Sequence, residues 1–517
     1  MKKLTPKEVL ARHSIADRKK DAWRGLLEDC YKYALPQRNL FGGEWESGVK
    51  GDGKMTDVYD STAIHSTQRF ANRIQSTLFP PYRNWCRLTA GNDIDPEQRE
   101  GVQAALDVYG EKMFAVLRQS NFDLAMSEML LDLAVGTGCM RISAGDETTP
   151  VRFEAVPQYL VSFEQGAHGK VDTVFRKLKI KGEADIQTWA DATIPEQLQA
   201  IIEDKPTEDV ELVEATIYKP DGDYYCYHVI WPKAEAELVY REQESSQWVI
   251  ARYMVCANES IGRGPLLSAL PDIKSINVTK KLILQNASLA VSGVYTAADD
   301  GVLNPETVSV QPGSIIPVAR NGGPQGESLK ALPRGGDFNV GQMVLDDLKI
   351  GIKQIMLDDT VPSDNMSART ATEMSHRIST LATQMGASFG RLITEALLPI
   401  CRRVLFIMDQ QNLIDLPLKI DGQEVKIVPV SPLARAQNED ELAGLMQFMQ
   451  IVQGLGPPGA MALNPERALD FIADRLGIPM SVLNTDEERE EMAAQMEQMM
   501  QQAQAQAAQA EQQPEAA

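Results

Sequence analysis

The residue types that perform chemistry in enzymes are present in this chain but scattered. His13, His65, His168, His228 and His376 stand apart, without an HExxH pair and without a serine at a strand-to-helix nucleophile elbow. The acid pairs Asp346-Asp347 and Asp358-Asp359 are of the kind that occupies helix surfaces and loops, and neither is flanked by a base or a metal-ligand partner. The Gly-rich stretch from Asn39 to Met55 lacks the Lys-Ser/Thr ending that cradles a phosphate, so it reads as a loop. Gly136-Thr137-Gly138 reads as a tight turn into a strand at Cys139–Ser143. Cys30, Cys86, Cys139, Cys226, Cys256 and Cys401 form no CxxC pair, which predicts buried free thiols rather than a zinc site or a disulfide framework. No catalytic residue, metal or cofactor is expected. The charged groups of interest are Asp346, Asp347, Lys349 and Lys353, spaced within two turns of one helix.

Those charges sit in the stretch that organises the chain, Pro265 to Gln411. A first helix is expected between Pro271 and Gly293, with Leu270, Ile273, Ile276, Lys280, Ile283 and Leu284 recurring at three and four residues. A second is expected from Asn339 to Leu357, with Val344, Leu348, Ile352 and Ile355 on one stripe. Both should be roughly 30 Å long. A Gly/Pro-punctuated, strand-rich insert, Asp299–Phe338, lies between them. A polar segment follows, Asp358–Thr370, and then a long helix over Ala371–Gln411, which Pro399 should kink.

At 517 residues the chain should hold more than one domain. Its composition, 43% apolar and 24% charged, is that of a globular protein, and no apolar run approaches the ~20 residues of a membrane span. The first twenty residues lack the apolar core of a signal peptide, which predicts a cytosol-like compartment. The net charge of −21 argues against a broad grip on nucleic acid, which needs Lys and Arg against phosphates; it does not exclude a wall that nucleic acid slides past, and a solvated acidic surface on an unrelated enzyme predicts the same number.

Along the rest of the chain, residues 1–40 read as helical, with Trp23, Leu26, Leu27, Cys30 and Tyr31 on one stripe. Ala63, Thr67, Phe70, Ile74 and Leu78 share a face of a helix that Pro80-Pro81 ends. A short strand at Trp85–Leu88 precedes helices over Pro96–Ser120 and Phe122–Val135, the second capped by Asn121. Val151–Leu178 and Val210–Tyr253 read as a β-rich module, with a helix over Ala184–Ile202 between them. Tyr224, Tyr225, Tyr227, Val229 and Trp231 read as sheet core, because no Lys or Arg interleaves them as a base-stacking platform would require. A hairpin is expected over Leu418–Val430 with its turn at Asp421-Gly422, then helices at Ala434–Gln453 and Pro465–Leu476. From Asp486 the chain is Glu, Met, Gln and Ala, a helix-favouring composition.

Several marks in this order carry a resemblance. They are Asp60-Ser61-Thr62-Ala63, Ala71-Asn72, Leu78-Phe79-Pro80-Pro81, Trp85–Leu88, Gly136-Thr137-Gly138, Gly262-Arg263-Gly264-Pro265, the polar Val361–Thr370, and Ser431-Pro432-Leu433-Ala434-Arg435-Ala436-Gln437. Over residues 10–450 the chain resembles the head-to-tail connector, or portal, proteins of short-tailed, T7-like bacteriophages. The resemblance implies an α+β portal fold without enzymatic activity: an α/β wing (1–262 and 372–430), stem helices (263–297 and 339–357) and a small β-containing clip (298–338). It also implies a channel loop (358–371), a mainly helical crown (431–485) and a C-terminal helical barrel or loose tail (486–517). It implies a ring, usually of twelve subunits, at a capsid vertex, assembled in the host cytoplasm, through which double-stranded genomic DNA passes. The implied partners are the terminase large subunit, tail adaptor and nozzle proteins, capsid and scaffolding proteins, and internal core or ejection proteins, with no membrane.

In such a ring Lys349 and Lys353 would stack as cationic rings beside acidic rings from Asp346 and Asp347, if they face inward; the alternative is that the lysines pair with acids on their own helix. Arg369 and Asn365 in the polar segment would touch passing DNA. Arg320, Asn321, Glu327, Lys330 and Arg334 in the insert would dock partners. Two other classes stay open: another virion scaffold or adaptor ring, and an acidic cytosolic α/β hydrolase or nuclease.

Overall fold

The computed structural model describes residues 3–36, 57–91, 96–166, 169–181, 189, 191–207, 209–257, 259–292, 295–297, 329–331, 338–358, 386–414, 425–430, 444–452, 469 and 472. Its first elements are α1 (Pro6–Asp21), α2 (Arg24–Ala34), α3 (Thr62–Leu78), β1 (Cys86–Ala90), α4 (Pro96–Gln119) and α5 (Phe122–Val135). Strands follow: β2 (Thr137–Ala144), β3 (Val151–Val156), β4 (Val161–Gln165), β5 (Val171–Lys181), then helix α6 (Glu196–Asp204). Next come β6 (Asp209–Lys219), β7 (Tyr224–Trp231), β8 (Ala236–Gln243) and β9 (Trp248–Arg252). The last are α7 (Pro265–Ser292), β10 (Tyr295–Ala297), β11 (Leu329–Ala331), α8 (Phe338–Ile355), α9 (Ala387–Leu392), a π-helical turn (Ile393–Leu397), α10 (Leu398–Gln410) and β12 (Val425–Pro429). The mixed helix-and-strand class is as expected. Two compact units emerge: Met1–Arg73 with Ser127–Met140 and Ala155–Met366, and Ile74–Met126 with Arg141–Glu154 and Ser367–Ala517.

The first unit is built on an antiparallel five-stranded sheet in the order β4-β5-β6-β7-β8. One face packs Phe175, Ala215, Ile217 and Ile230 against Val9 and Ala16 of α1. The other packs Leu212, Tyr227, Val229 and Trp231 against Trp189 and Leu198 of α6. With both faces covered, β6 and β7 bury nearly unbroken runs rather than alternate residues. A reciprocal cap of Thr5 and Glu8 starts α1. The helical N-terminal region is two helices, broken at Ala22-Trp23, and Leu26 of the expected stripe is exposed. Of the helix expected over Ala184–Ile202, residues 182–188 and 190 lie outside the described residues, and α6 covers Glu196–Asp204: Pro195 disfavours helical backbone at Ile194, and Thr193 N–H bonds the Leu238 carbonyl (2.8 Å).

In the second unit β1 and β12 pair antiparallel, Cys86 opposite Pro429 and Ala90 opposite Val425. Gln103 of α4 closes β1, accepting from Ala90 N–H (3.0 Å) and donating to the Leu88 carbonyl (2.9 Å). Phe79, Trp85, Phe114, Phe122 and Phe153 form an aromatic cluster with ring centroids 5.1–6.2 Å apart. Asn121 does not act as the expected side-chain cap. Its amide pairs with both backbone groups of Phe153, at 2.7 and 3.0 Å, while Ser120 Oγ accepts from Phe122 N–H. Pro399 lies about three turns inside a continuous helical run that starts at Ala387, and the turn before it, Ile393–Leu397, is π-helical. The proline lacks an N–H and crowds the carbonyl of Glu395, so the turn widens to admit it. The 371–385 part of the expected long helix, the hairpin turn at Asp421-Gly422, and residues 473–517 lie outside the described residues.

Candidate functional site

The helix pair α7 and α8 carries the candidate charges, and its geometry begins at a backbone junction. Gly136 and Gly262 face each other so closely that a Cβ on either would lie 2.0–2.2 Å from the other's carbonyl oxygen. A Cβ on Gly264 would lie 2.1 Å from the Ala134 carbonyl oxygen. Thr137 Oγ1 accepts from Gly262 N–H (2.9 Å), Gly264 N–H donates to the Val135 carbonyl (2.9 Å), and Tyr253 N–H to that of Gly136 (3.0 Å). The two glycine motifs of the sequence thus form one junction. Pro265 starts α7 directly beyond it. Arg263 is held there by a two-point ion pair to Glu259 (2.6 and 2.7 Å) and lies over the Trp23 ring at 4.9 Å.

The helix does not begin at Pro271, as the sequence suggests; that proline lies inside it. Past the four free N–H groups of the helix start, it gives up a hydrogen bond to the Leu267 carbonyl and crowds that oxygen, a cost of about 3 kcal/mol. At 28 and 18 residues α7 and α8 are unequal, against the expected match. Leu266, Ala269, Leu270, Ile273 and Ile276 are buried. Beyond them polar groups hold α7: Asn277 accepts from Tyr59 N–H (2.7 Å) and donates to the Asp57 carbonyl (2.8 Å). Lys280 pairs with Asp60 (2.9 Å) and Lys274 with Asp29 (2.6 Å). Burial alone would raise the Asp60 carboxyl, but hydrogen bonds from Thr62 and Lys280 outweigh it and hold the group below its usual range.

The helices run antiparallel, Gly341 beside Ile283 and Gly351 beside Asp272. Among the described side chains of α8 the buried ones are Leu345 and Ile352, and Met356 just past its end is buried too. The expected stripe is therefore displaced: Val344 is exposed, and Leu348 and Ile355 are half-buried. The buried row runs through Leu345 in place of Val344 and keeps Ile352. Lys349 pairs with Asp346 at 3.6 Å, and Asp346 also accepts from Gln342 (3.0 Å). Asp347 is exposed and Lys353 half-buried. Lys330 lies in β11 opposite Thr296 of β10, a two-stranded ribbon between the helices. Asn365, Arg369, Arg320, Asn321, Glu327 and Arg334 lie outside the described residues.

A latch at the end of α8 escaped the sequence reading. Leu357 adopts a left-handed conformation (φ 54°), and Asp358 N–H reaches back to the Lys353 carbonyl (2.7 Å), closing the helix. Arg73 donates to the Leu357 carbonyl. The buried Asp358 carboxylate accepts from Ser66 Oγ (2.9 Å) and Arg69 (3.2 Å). Ser66, Arg69 and Arg73 recur at three and four residues on α3, a signal that periodicity offers but that has meaning only once Asp358 is placed beside it. Among the described residues no group of His, Cys, Asp and Glu is placed to hold a metal, and no helix is long and apolar enough to cross a membrane.

The structure is thus a mixed helix-and-strand body bearing an antiparallel helix pair, with a long insert between the two helices and a two-stranded ribbon pairing the insert's ends. The chain belongs to the family of bacteriophage head to tail connecting proteins, whose sequence profile matches residues 6–483. It is 23% identical over 476 residues to the portal protein of Salmonella phage epsilon15, covering 86% of this chain and 84% of that one. It is 20% identical over 495 residues to the portal protein of Enterobacteria phage T3, covering 92% and 88% of the two chains. To the portal protein of Escherichia phage T7 it is 21% identical over 499 residues, covering 92% and 87%. Those relatives are structural proteins, not enzymes. Among solved structures, a chain of the virion of a native gene transfer agent particle aligns at a TM-score of 0.33 and 11% identity, over 82% of this chain and 92% of that one.

Proposed function

We propose that the chain is the subunit of a portal: a ring at one capsid vertex through which double-stranded genomic DNA is packaged and ejected. The observation that carries the ring is the apolar outside of the helix pair. Val278, Leu282 and Leu284 on α7 and Met343, Val344 and Ile350 on α8 are exposed, Met343 at 76%. Six large apolar side chains on one helix pair are out of place against water but suited to neighbouring copies of the same pair. The wing is residues 1–262 and 372–430, the stem 263–297 and 339–357, the clip 298–338, the channel loop 358–371, the crown 431–485 and the tail 486–517. The clip, with Arg320, Asn321, Glu327, Lys330 and Arg334, docks the terminase large subunit and later the tail adaptor and nozzle proteins. Capsid, scaffolding and internal core proteins meet the remaining faces. The particle is assembled in the host cytoplasm and resides in the virion.

Asp346, Asp347, Lys349 and Lys353 present alternating rings of charge to a duplex that carries one charge per about 1.7 Å, with Asn365 and Arg369 in the loop beyond. The Lys349–Asp346 pair supports a second reading for Lys349, a helix-surface ion pair worth a few tenths of a kcal/mol. Mass measurement of the purified particle tests the ring: a closed assembly near twelve copies is expected, and a stable monomer overturns it. Lys349→Ala with Lys353→Ala separates the readings of the charges. DNA retention after packaging falls if they face the channel and is unchanged if the lysines serve only their own helix.

A further inference from the structure

In the second unit, β1 and α10 bring two cysteines together from opposite ends of the chain. Cys86 opens β1, whose inward residues are Cys86, Leu88 and Ala90. Cys401 lies on the buried row of α10 with Ile400, Val404, Leu405 and Met408. Their Sγ atoms are 3.2 Å apart, within a hydrogen bond of one another and fully enclosed. A disulfide needs ~2.05 Å, so closure asks for a movement of about 1.1 Å shared between two side chains. Nothing in the sequence pointed to this pair, which is separated by 315 positions and belongs to no cysteine motif.

We propose that Cys86 and Cys401 are a latent disulfide site: a dithiol in a reducing compartment, and a covalent tie between β1 and α10 once a small oxidant reaches it. The inference does not depend on the ring or the DNA channel. With hydrogen peroxide the chemistry balances in two steps. One sulfur, as thiolate, attacks a peroxide oxygen; the O–O bond breaks, giving a sulfenic acid and hydroxide, which takes up the proton to become water. The second sulfur attacks the sulfenic sulfur; the S–S bond forms, the S–O bond breaks, and the departing hydroxide leaves as water with the second thiol proton. Two thiols lose two electrons and two protons, and one peroxide becomes two waters.

Enclosure sets the rate. Burial, and then the hydrogen-bonded Cys401, push the Cys86 thiol well above its usual range, so its thiolate is scarce at neutral pH. Only a water-sized oxidant, or a local opening of the unit, brings the reaction about. Proximity then decides its outcome, because a sulfenic acid formed on either sulfur meets the other thiol before any further oxidant.

The test uses the full chain carrying Cys256→Ser, which removes the exposed thiol. Six cysteines less this one leave five, and peroxide treatment should lower the thiol count in denaturant from five to three. The intact chain should lose the mass of two hydrogens, and peptide mapping should recover the fragment holding Cys86 linked to that holding Cys401. The oxidised chain should melt about 5 °C or more higher, because the bridge closes a loop of more than three hundred residues, and dithiothreitol should reverse the shift. Cys86→Ala and Cys401→Ala should each abolish the link; the mapping of the parent chain stands even if either variant folds poorly. Five surviving thiols after prolonged peroxide, a link between other cysteines, or sulfinic acid at Cys86 or Cys401 in place of the bridge would overturn the proposal.

Discussion

Replacing Gly262 with alanine is the sharpest probe of the junction from which α7 departs. The added Cβ would lie 2.2 Å from the Gly136 carbonyl oxygen and 3.0 Å from Arg252 Cβ. Both are backbone or near-backbone positions with no flexible end to yield, so the two segments must part by about 1 Å. Four hydrogen bonds cross or flank that contact: Gly262 to Thr137, Tyr253 to Gly136, Gly264 to Val135, and Arg263 to the Met254 carbonyl at 2.7 Å. An opening of that size carries them beyond bonding distance. At about 1 kcal/mol each the loss is about 3–4 kcal/mol, a large part of the 5–15 kcal/mol that usually holds a domain. Thermal unfolding should show a melting temperature lower by about 10 °C. Gly110, inside α4, is the control. A Cβ there meets nothing within 4 Å, so Gly110→Ala should add about 0.5–1 kcal/mol through helix propensity and raise the melting temperature slightly. A Gly262→Ala chain that melts within 2 °C of the parent, or a Gly110→Ala chain that falls as far, refutes the reasoning.

Three further outcomes are expected. His13 is buried beside Phe175, and burial, partly opposed by Asp17, lowers its pKa from 6.5 to about 4. Between those values the unfolded chain takes up a proton that the native chain refuses, so stability is full above pH 6.5 and falls by about 2–3 kcal/mol as pH drops to 4; melting curves against pH should show this slope, and His13→Leu should flatten it. Asp358→Ala strands the buried Ser66 hydroxyl and releases Arg69, costing about 1–2 kcal/mol in denaturant titration, whereas an unchanged midpoint would mean the latch bears no load. Met343→Asp with Ile350→Asp, both on exposed positions, should leave the melting temperature of the isolated chain unchanged while particle mass falls from ring to monomer; rings of normal mass would place those side chains elsewhere.

Much of the plan was legible because local rules governed it. Ala63, Thr67, Phe70, Ile74 and Leu78 share a face by spacing alone, and all five are buried. The antiparallel module between β4 and β8 follows from alternation and turns, since each strand pairs with its sequence neighbour. What escaped was set by distant partners. Asn121 has the type and place of a cap, and only the arrival of Phe153 diverts it. On α8 both Val344 and Leu345 fit a row with Leu348, Ile352 and Ile355 at three- and four-residue spacing, and only the packing against α7 decides that Leu345 is the buried one. Of the candidate charges, periodicity supplied the shared helix of Asp346, Asp347, Lys349 and Lys353 and, as one alternative, pairing along it, which the Lys349–Asp346 contact meets.

The pairing of β1 with β12 sets a clock on biosynthesis. A ribosome releases the partner of Cys86 only after Pro429 has been made, more than three hundred residues later. At 5–20 residues per second that is a wait of roughly 20–70 s, during which the apolar face of β1 stays unmatched and both α7 and α8 have already emerged. A nascent chain therefore carries the exposed apolar side chains of α7 and α8 outside the ribosome before β1 has its partner strand.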